Sequence, residues 1–110
     1  MAYNESMAKR IREIVASKAS TQERKMFGGV AFFLNGNMAC GLLQDHLMVR
    51  VGADRYEELL TEPFAKQFNR NGRVMKGWIQ VDERGLDHDE VLEFWVNTGL
   101  DYAATLPPKV

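Results

Sequence analysis

The hydrophobic pattern changes period along the chain, and the change predicts a helix at each end with strands between them. Near the N-terminus the apolar residues recur at helical spacing. This predicts an amphipathic first helix with Met7, Ile11, Ile14 and Val15 on its buried face. A side chain of Asn4 or Ser6 is expected to cap it.

From residue 25 to residue 51 short apolar runs alternate with turn residues, which predicts three antiparallel strands. Asn35 and Gly36 suit a tight hairpin turn because both tolerate a positive φ. The third strand alternates, so Met48 is expected on the face opposite Leu47 and Val49. Inside the first strand, Gly28-Gly29 predicts a bulge or a close approach of two backbones.

Residues 54–62 predict a short second helix that begins at a capping box of Asp54 and Glu57. A second hairpin follows over residues 64–81. A capping pattern at Asp87 then predicts a long last helix that stops at Pro107-Pro108. Its apolar stripe contains Gly99, which is interpreted as a point of close packing against the sheet.

The order of elements is therefore α-β(3)-α-β(2)-α, with hairpins in place of crossover connections. Hairpins produce an antiparallel sheet, so the predicted fold class is α+β, a two-layer sandwich. A chain of 110 residues is long enough for one hydrophobic core, and residues 1–110 are expected to form a single domain.

The amino-acid composition limits the classes of function that the chain is expected to have. Apolar residues make up 45% and charged residues 26%, as in globular proteins, and the net charge of -1 does not favour nucleic acid for the molecule as a whole. The sequence shows neither a signal segment nor an apolar run long enough to span a bilayer, so a cytoplasmic protein without membrane contact is expected. Cys40 is the single cysteine, which excludes an internal disulfide.

Residues suited to catalysis or metal binding are few. Cys40, His46 and His88 have no ligand or nucleophile spacing, so no catalytic residue, metal or cofactor is predicted, and the chain is not expected to be an enzyme. An enzymatic alternative requires these three side chains to converge in one cleft. Cys40 is more simply explained as a buried strand residue.

Two surfaces are candidates for binding. If all helices cover one face of the sheet, the other face is partly apolar, with interface candidates Phe27, Phe33, Met48 and Trp78. Homodimerisation is the leading hypothesis for this face, and a small-ligand cleft is the alternative. The second surface is the segment from residue 66 to residue 78, which carries Lys66, Arg70, Arg73 and Lys76 between aromatic residues, as single-stranded nucleic acid would require.

Two motifs resemble the N-terminal domain of the TfoX/Sxy family of bacterial competence regulators. The first is the run from Arg24 to Phe33 followed by Asn35-Gly36-Asn37-Met38, and the second is the run from Gly72 to Val81. The resemblance covers nearly the whole chain, including Phe94 and Trp95 of the last helix.

This resemblance implies a fold like that of secretion chaperones and a stand-alone version of the N-terminal domain. It also implies a regulatory role exerted by binding a protein, with a transcription activator as the expected partner. No catalytic residue follows from it. The function expected from the sequence is therefore a non-catalytic, protein-binding regulatory module, and a nucleic-acid-binding accessory protein is the alternative.

Overall fold

The computed structural model describes residues 3–26 and 28–109. Three helices and six strands are found in these residues. The elements are α1 (Glu5–Val15), β1 (Thr21–Met26), β2 (Gly29–Leu34), β3 (Asn37–Leu43), β4 (His46–Arg50), α2 (Ala53–Leu59), β5 (Ala65–Arg70), β6 (Arg73–Val81), a 3-10 turn (Glu83–Leu86) and α3 (Asp89–Ala104).

The strands form one antiparallel sheet in the order β1-β2-β3-β4-β6-β5, so β1 and β5 are its edges. Each connection between sequential paired strands is a short hairpin, and β4 reaches β6 after α2 and β5. The predicted α+β fold with an antiparallel sheet is confirmed.

The sheet has one strand more than the predicted order, because residues 21–26, most of which precede the predicted first strand, form the additional strand β1. Met26 pairs with Gly29, and Gly28 adopts a φ of 75°, so a hairpin turn stands where a bulge was predicted. The predicted close approach of backbones is confirmed at Gly29, where a Cβ would overlap the carbonyl oxygen of Leu42. β1 escaped prediction because its side chains at 22–25 are all exposed and polar.

The first helix begins as predicted. The side chain of Asn4 accepts a hydrogen bond of 3.1 Å from the backbone N–H of Met7, which satisfies one of the free amides of the first turn. The buried side of α1, including Ile11, packs against α3.

The two predicted capping boxes are wrong. α2 follows Gly52, which has a φ of 82° and no side chain to form a cap, so Asp54 lies inside the first turn. α3 follows His88, whose side chain makes no cap hydrogen bond, and Asp87 ends the 3-10 turn. An acid in the first turn still complements the helix dipole, which explains why the sequence pattern resembles a cap.

The core lies between the helices and one face of the sheet. Strand residues in this core come from a single face, and they include Val30, Phe32, Leu42, Leu47, Val49, Ile79 and Val81. α3 packs across β2, β3 and β4, and α2 packs on β6. Gly99 is the predicted packing point, since a Cβ there would overlap the carbonyl oxygen of Ala39.

The residues after α3 are held against the β2–β3 turn. The backbone N–H of Lys109 donates to the carbonyl oxygen of Asn35 at 2.8 Å. The side-chain amide of Asn37, which is buried, donates to the carbonyl oxygen of Pro107 at 2.9 Å. These bonds fix the direction of the chain as it leaves the last helix.

Candidate protein-binding face

The face of the sheet that turns away from the helix-packed core is the candidate site, and we call it the open face. The pairing register places Phe33 opposite Met38, Gly41 opposite Met48 and Arg50 opposite Trp78, and paired residues point to the same side. None of these six residues belongs to the core cluster. The open face is defined by Arg24, Phe33, Met38, Gly41, Met48, Arg50 and Trp78.

Two methionines cover the middle of the open face. The Cε atoms of Met38 and Met48 lie 3.1 and 3.4 Å from the place where a Cβ at Gly41 would be. Because Gly41 has no side chain, both methionines can lie down over the sheet, and Met48 is only 9% exposed. Methionine side chains are flexible and polarisable, so this centre can adapt to the shape of a partner.

Arginines stand over aromatic rings at two positions of the open face. The guanidinium carbon of Arg24 lies 5.1 Å from the centre of the Phe33 ring. That of Arg50 lies 5.9 Å from the Trp78 ring and 5.5 Å from the ring of Tyr102 on α3. All three distances are within the range of cation–π attraction. The open face therefore combines an apolar middle with fixed positive charges.

The predicted interface residues share this face as far as they are described. Phe33 and Trp78 are half-buried on it, and Met48 lies beneath its surface. Phe27 lies outside the described residues. Met38 was missed, although the Asn35-Gly36 turn carries the signal, since a two-residue turn pairs Leu34 with Asn37 and therefore Phe33 with Met38.

The predicted nucleic-acid residues lie together on the β5–β6 hairpin. Lys66, Arg70, Arg73 and Lys76 are all exposed there. The rings of Phe68 and Trp78 lie 6.4 Å apart on the same hairpin, with an angle of 50° between their planes. The hairpin therefore presents four cations beside two half-buried rings.

The three residues of the enzymatic alternative are not brought together. Cys40 points into the core and is fully buried, and burial raises the pKa of its thiol to about 12, so the thiol stays protonated at neutral pH. His46 pairs with Leu43 and lies on the opposite face of the sheet from Cys40. His88 is exposed at the start of α3.

Metal ligands do not cluster in the part of the chain that the structure describes, where no group of three or more histidine, cysteine or acidic side chains is placed to hold an ion. A solvent-open cleft of about 500 Å³ lies between α2 and α3, lined by Gly52, Asp54, Asp101 and Tyr102 among others. It contains none of the predicted site residues.

Comparisons with known proteins give one match. The sequence profile of the TfoX N-terminal domain matches residues 13–103. Comparisons with curated proteins and with solved structures return no match. Over residues 3–26 and 28–109, no helix is both long enough and apolar enough to cross a membrane.

Proposed function

Because the chain belongs to the TfoX N-terminal domain family, we propose that it is a non-catalytic regulatory module that binds a partner protein through the open face. The family is one of regulatory domains, and a regulator acts by contacting another macromolecule. A transcription activator is the class of partner that fits this role, and the cytoplasm is the compartment in which the two would meet.

One observation carries this proposal, namely the composition of the open face. Methionine, phenylalanine, tryptophan and arginine are the residue types enriched at the centres of protein interfaces. The open face presents these types together, with Arg24 over Phe33 and Arg50 over Trp78. A ring held by a guanidinium loses little freedom on binding, so such pairs suit residues that dominate binding energy.

The charges on this face also describe the partner. Arg24 and Arg50 flank the apolar middle, and the cationic β5–β6 hairpin lies beyond Trp78. Complementary charges steer two proteins together and select between partners. The proposed partner surface is therefore apolar at its centre and acidic at its margin.

The test begins with capture of a partner from native cell extract by the full chain, followed by titration calorimetry with the purified partner. Phe33→Ala and Trp78→Ala should each weaken binding on the order of tenfold to a hundredfold, as expected for central interface aromatics. Phe94→Ala is the matched control, because Phe94 is an exposed aromatic on α3 and lies outside the open face.

Binding by folded Phe33→Ala and Trp78→Ala variants at wild-type strength would contradict the proposal. Circular dichroism and thermal unfolding of each variant separate a lost contact from a lost fold. Weakening by Phe94→Ala alone would move the site to α3.

A second candidate function is binding of single-stranded nucleic acid by the β5–β6 hairpin. The grouping of four exposed cations beside the Phe68 and Trp78 rings favours it, because phosphates need cations and unstacked bases need rings. The triple variant Lys66→Ala, Arg73→Ala, Lys76→Ala should bind RNA or DNA more weakly. Its affinity should also change less with salt concentration than that of the wild-type chain. Lys25→Ala on β1 is the control, and the absence of any binding at low salt would eliminate this candidate.

A further inference from the structure

The two edge strands of the sheet differ in how they are protected. β1 carries three consecutive charged and exposed residues, Glu23, Arg24 and Lys25. Arg12 of α1 forms an ion pair with Glu23 through two hydrogen bonds. Charged side chains on an edge discourage another strand from pairing with it. β5 has no comparable run, since Gln67 and Asn69 at its centre are uncharged.

Some backbone N–H and C=O groups of β5 point away from β6, toward the outer edge of the sheet. The N–H of Asp82 donates to the carbonyl oxygen of Phe64 at 3.1 Å, which orients that carbonyl toward β6. Because backbone groups alternate along a strand, those of Gln67 point to the opposite side, where the sheet order ends. A register shift separates Gln67 from Asn69, but Arg70 and Arg73 close a two-residue turn and therefore bond to each other, so the groups of the preceding Asn69 also point outward. They form a template for one more antiparallel strand.

The exposed large apolar side chains of the described chain lie beside this edge. They are Phe64, Val74, Val91 and Phe94, each between 37% and 46% exposed. Phe64 immediately precedes β5, and Val74 pairs with Asn69 of β5. Val91 and Phe94 line an open cleft of about 400 Å³ together with Phe64. Apolar exposure of this kind marks a contact surface.

The two ends of β5 carry opposite charge. At the Phe64 end the cleft is lined by Glu62, Glu90 and His88. Its one arginine, Arg84, lies 5.3 Å from the centre of the Phe64 ring and is paired with Asp82 at 3.0 Å, so the two glutamates give this end its net negative charge. At the other end Arg70 and Arg73 face each other across the hairpin and are exposed.

We propose that two copies of this chain associate by antiparallel pairing of their β5 strands about a two-fold axis at Gln67. In this register Arg70 of one copy lies opposite Phe64 of the second copy, because an antiparallel pair centred on residue 67 joins residues at equal distances from it. The cationic end of each β5 therefore meets the acidic, apolar cleft of the other copy. The same two-fold rotation pairs both ends of β5 with groups of opposite charge, as a self-complementary interface requires.

This assembly is separate from the proposed partner contact, because it uses an edge of the sheet and leaves the open face uncovered. A two-fold axis perpendicular to the joined sheet puts the open faces of both copies on the same side. Phe68 and Trp78 of the two copies then lie near the seam, on strands β5 and β6. The dimer would present two copies of the binding face to one partner.

The first experiment is sedimentation equilibrium of the full chain over a wide concentration range. The wild-type chain should reach the mass of two chains, and Gln67→Pro should shift it to the mass of one. Proline lacks the N–H that the second copy would use, and it is tolerated on an edge strand where that N–H faces outward. The matched control is Lys25→Pro, since Lys25 occupies an outward-facing position on β1 and this variant should remain dimeric.

The second experiment tests the charges and does not depend on the fold of a proline variant. Arg73→Glu and Glu62→Lys should each raise the dissociation constant on the order of tenfold, because each homodimer then holds like charges at both ends. An equimolar mixture of the two variants should recover the wild-type dissociation constant as a mixed dimer, in which both ends again carry opposite charges.

Four outcomes would overturn the proposal. They are a wild-type chain that stays monomeric at high concentration, a folded Gln67→Pro variant that remains dimeric, a mixture of the two charge variants that associates no better than either alone, and a dimer that Phe33→Ala dissociates while Gln67→Pro does not. The last outcome would place self-association on the open face. Because a dimer would present two binding faces, the partner titration is repeated in the Gln67→Pro background, where only one face per molecule is available. In that background a loss of partner binding by Phe33→Ala or Trp78→Ala does not depend on self-association, so each proposal can fail without the other.

Discussion

The two faces of the sheet use glycine in opposite ways. On the covered face, Gly99 of α3 lets the helix backbone approach the carbonyl of Ala39, so rigid main chain meets rigid main chain. On the open face, Gly41 makes room for the ends of Met38 and Met48, which are flexible. The covered face is therefore packed rigidly, and the open face is packed by flexible side chains that can rearrange.

The largest effect is expected from Trp95→Ala, which removes a ring of α3 that is 1% exposed in the core between the helices and the covered face. Loss of a large buried aromatic should lower the free energy of unfolding by about 3–5 kcal/mol. Urea-induced unfolding of the variant and the wild-type chain measures this loss of stability. The neighbouring Phe94, 41% exposed and 5.2 Å from Trp95 between ring centres, provides the control, and Phe94→Ala should cost less than about 1 kcal/mol. Equal losses in the two variants would remove the distinction between the covered core and the helix exterior.

Gly99→Ala is expected next in size. The added methyl group overlaps the Ala39 carbonyl, so α3 must move off the sheet, and overpacking of this kind costs about 1–3 kcal/mol even though alanine favours the helix. Thermal unfolding should show a lower midpoint. A midpoint at or above that of the wild-type chain would show that α3 is not held at this distance.

Gly41→Ala should change the free energy of unfolding by less than about 0.5 kcal/mol, because the methionine ends can move aside and alanine suits a strand better than glycine. The same thermal measurement, made beside Gly99→Ala, compares the two faces directly. A loss as large as that of Gly99→Ala would mean that the open face is packed as rigidly as the core. Partner titration with this variant reports whether displaced methionines alter binding.

An effect of similarly small size is expected from the ion pair between α1 and the edge strand β1. Arg12 donates two hydrogen bonds of 2.7 and 2.8 Å to Glu23, and this contact lowers the pKa of the Glu23 carboxyl. The pair should contribute about 0.5 kcal/mol at neutral pH. Since the folded-state pKa is the lower one, the contribution is complete above the ordinary glutamate pKa and disappears as the pH falls through the folded-state pKa.

Chemical unfolding of wild-type chain and Glu23→Gln at neutral and acidic pH measures this contribution. The difference in stability should be present at neutral pH and absent in acid. Glu57→Gln on the exposed side of α2 is the control and should show no such dependence. A difference that persists in acid would mean that Glu23 stabilises the fold by something other than its charge.

The sequence predicted the elements whose side chains alternate between core and surface. β4 is the clearest case, since Leu47 and Val49 are buried on one face and Met48 lies on the other, as their alternation requires. β1 could not be found in this way, because an edge strand with exposed polar residues carries no such period. The positive φ of 65° at Phe64 also has no sequence signal, since phenylalanine seldom adopts that conformation.

The candidate site was predictable only in part, for a related reason. Residues on the open face follow from strand parity, so Phe33, Met48 and Trp78 were assigned together. Which of them is exposed depends on neighbours in other strands, and the covering of Gly41 by Met38 and Met48 is a tertiary contact. The proposed association edge at β5 required the strand order, which hairpin patterns alone do not specify because β5 lies outside β6.

The hydrogen bonds from Lys109 to Asn35 and from Asn37 to Pro107 have a practical consequence for handling the protein. They hold residues 107–109 against the β2–β3 turn, three strands away from β5 in the sheet. A fluorophore or affinity tag attached at Lys109 would thus lie roughly 15 Å or more from the β5 edge, given the usual spacing of strands. Immobilisation by such a tag would leave that edge free for optical and surface-based measurements of self-association.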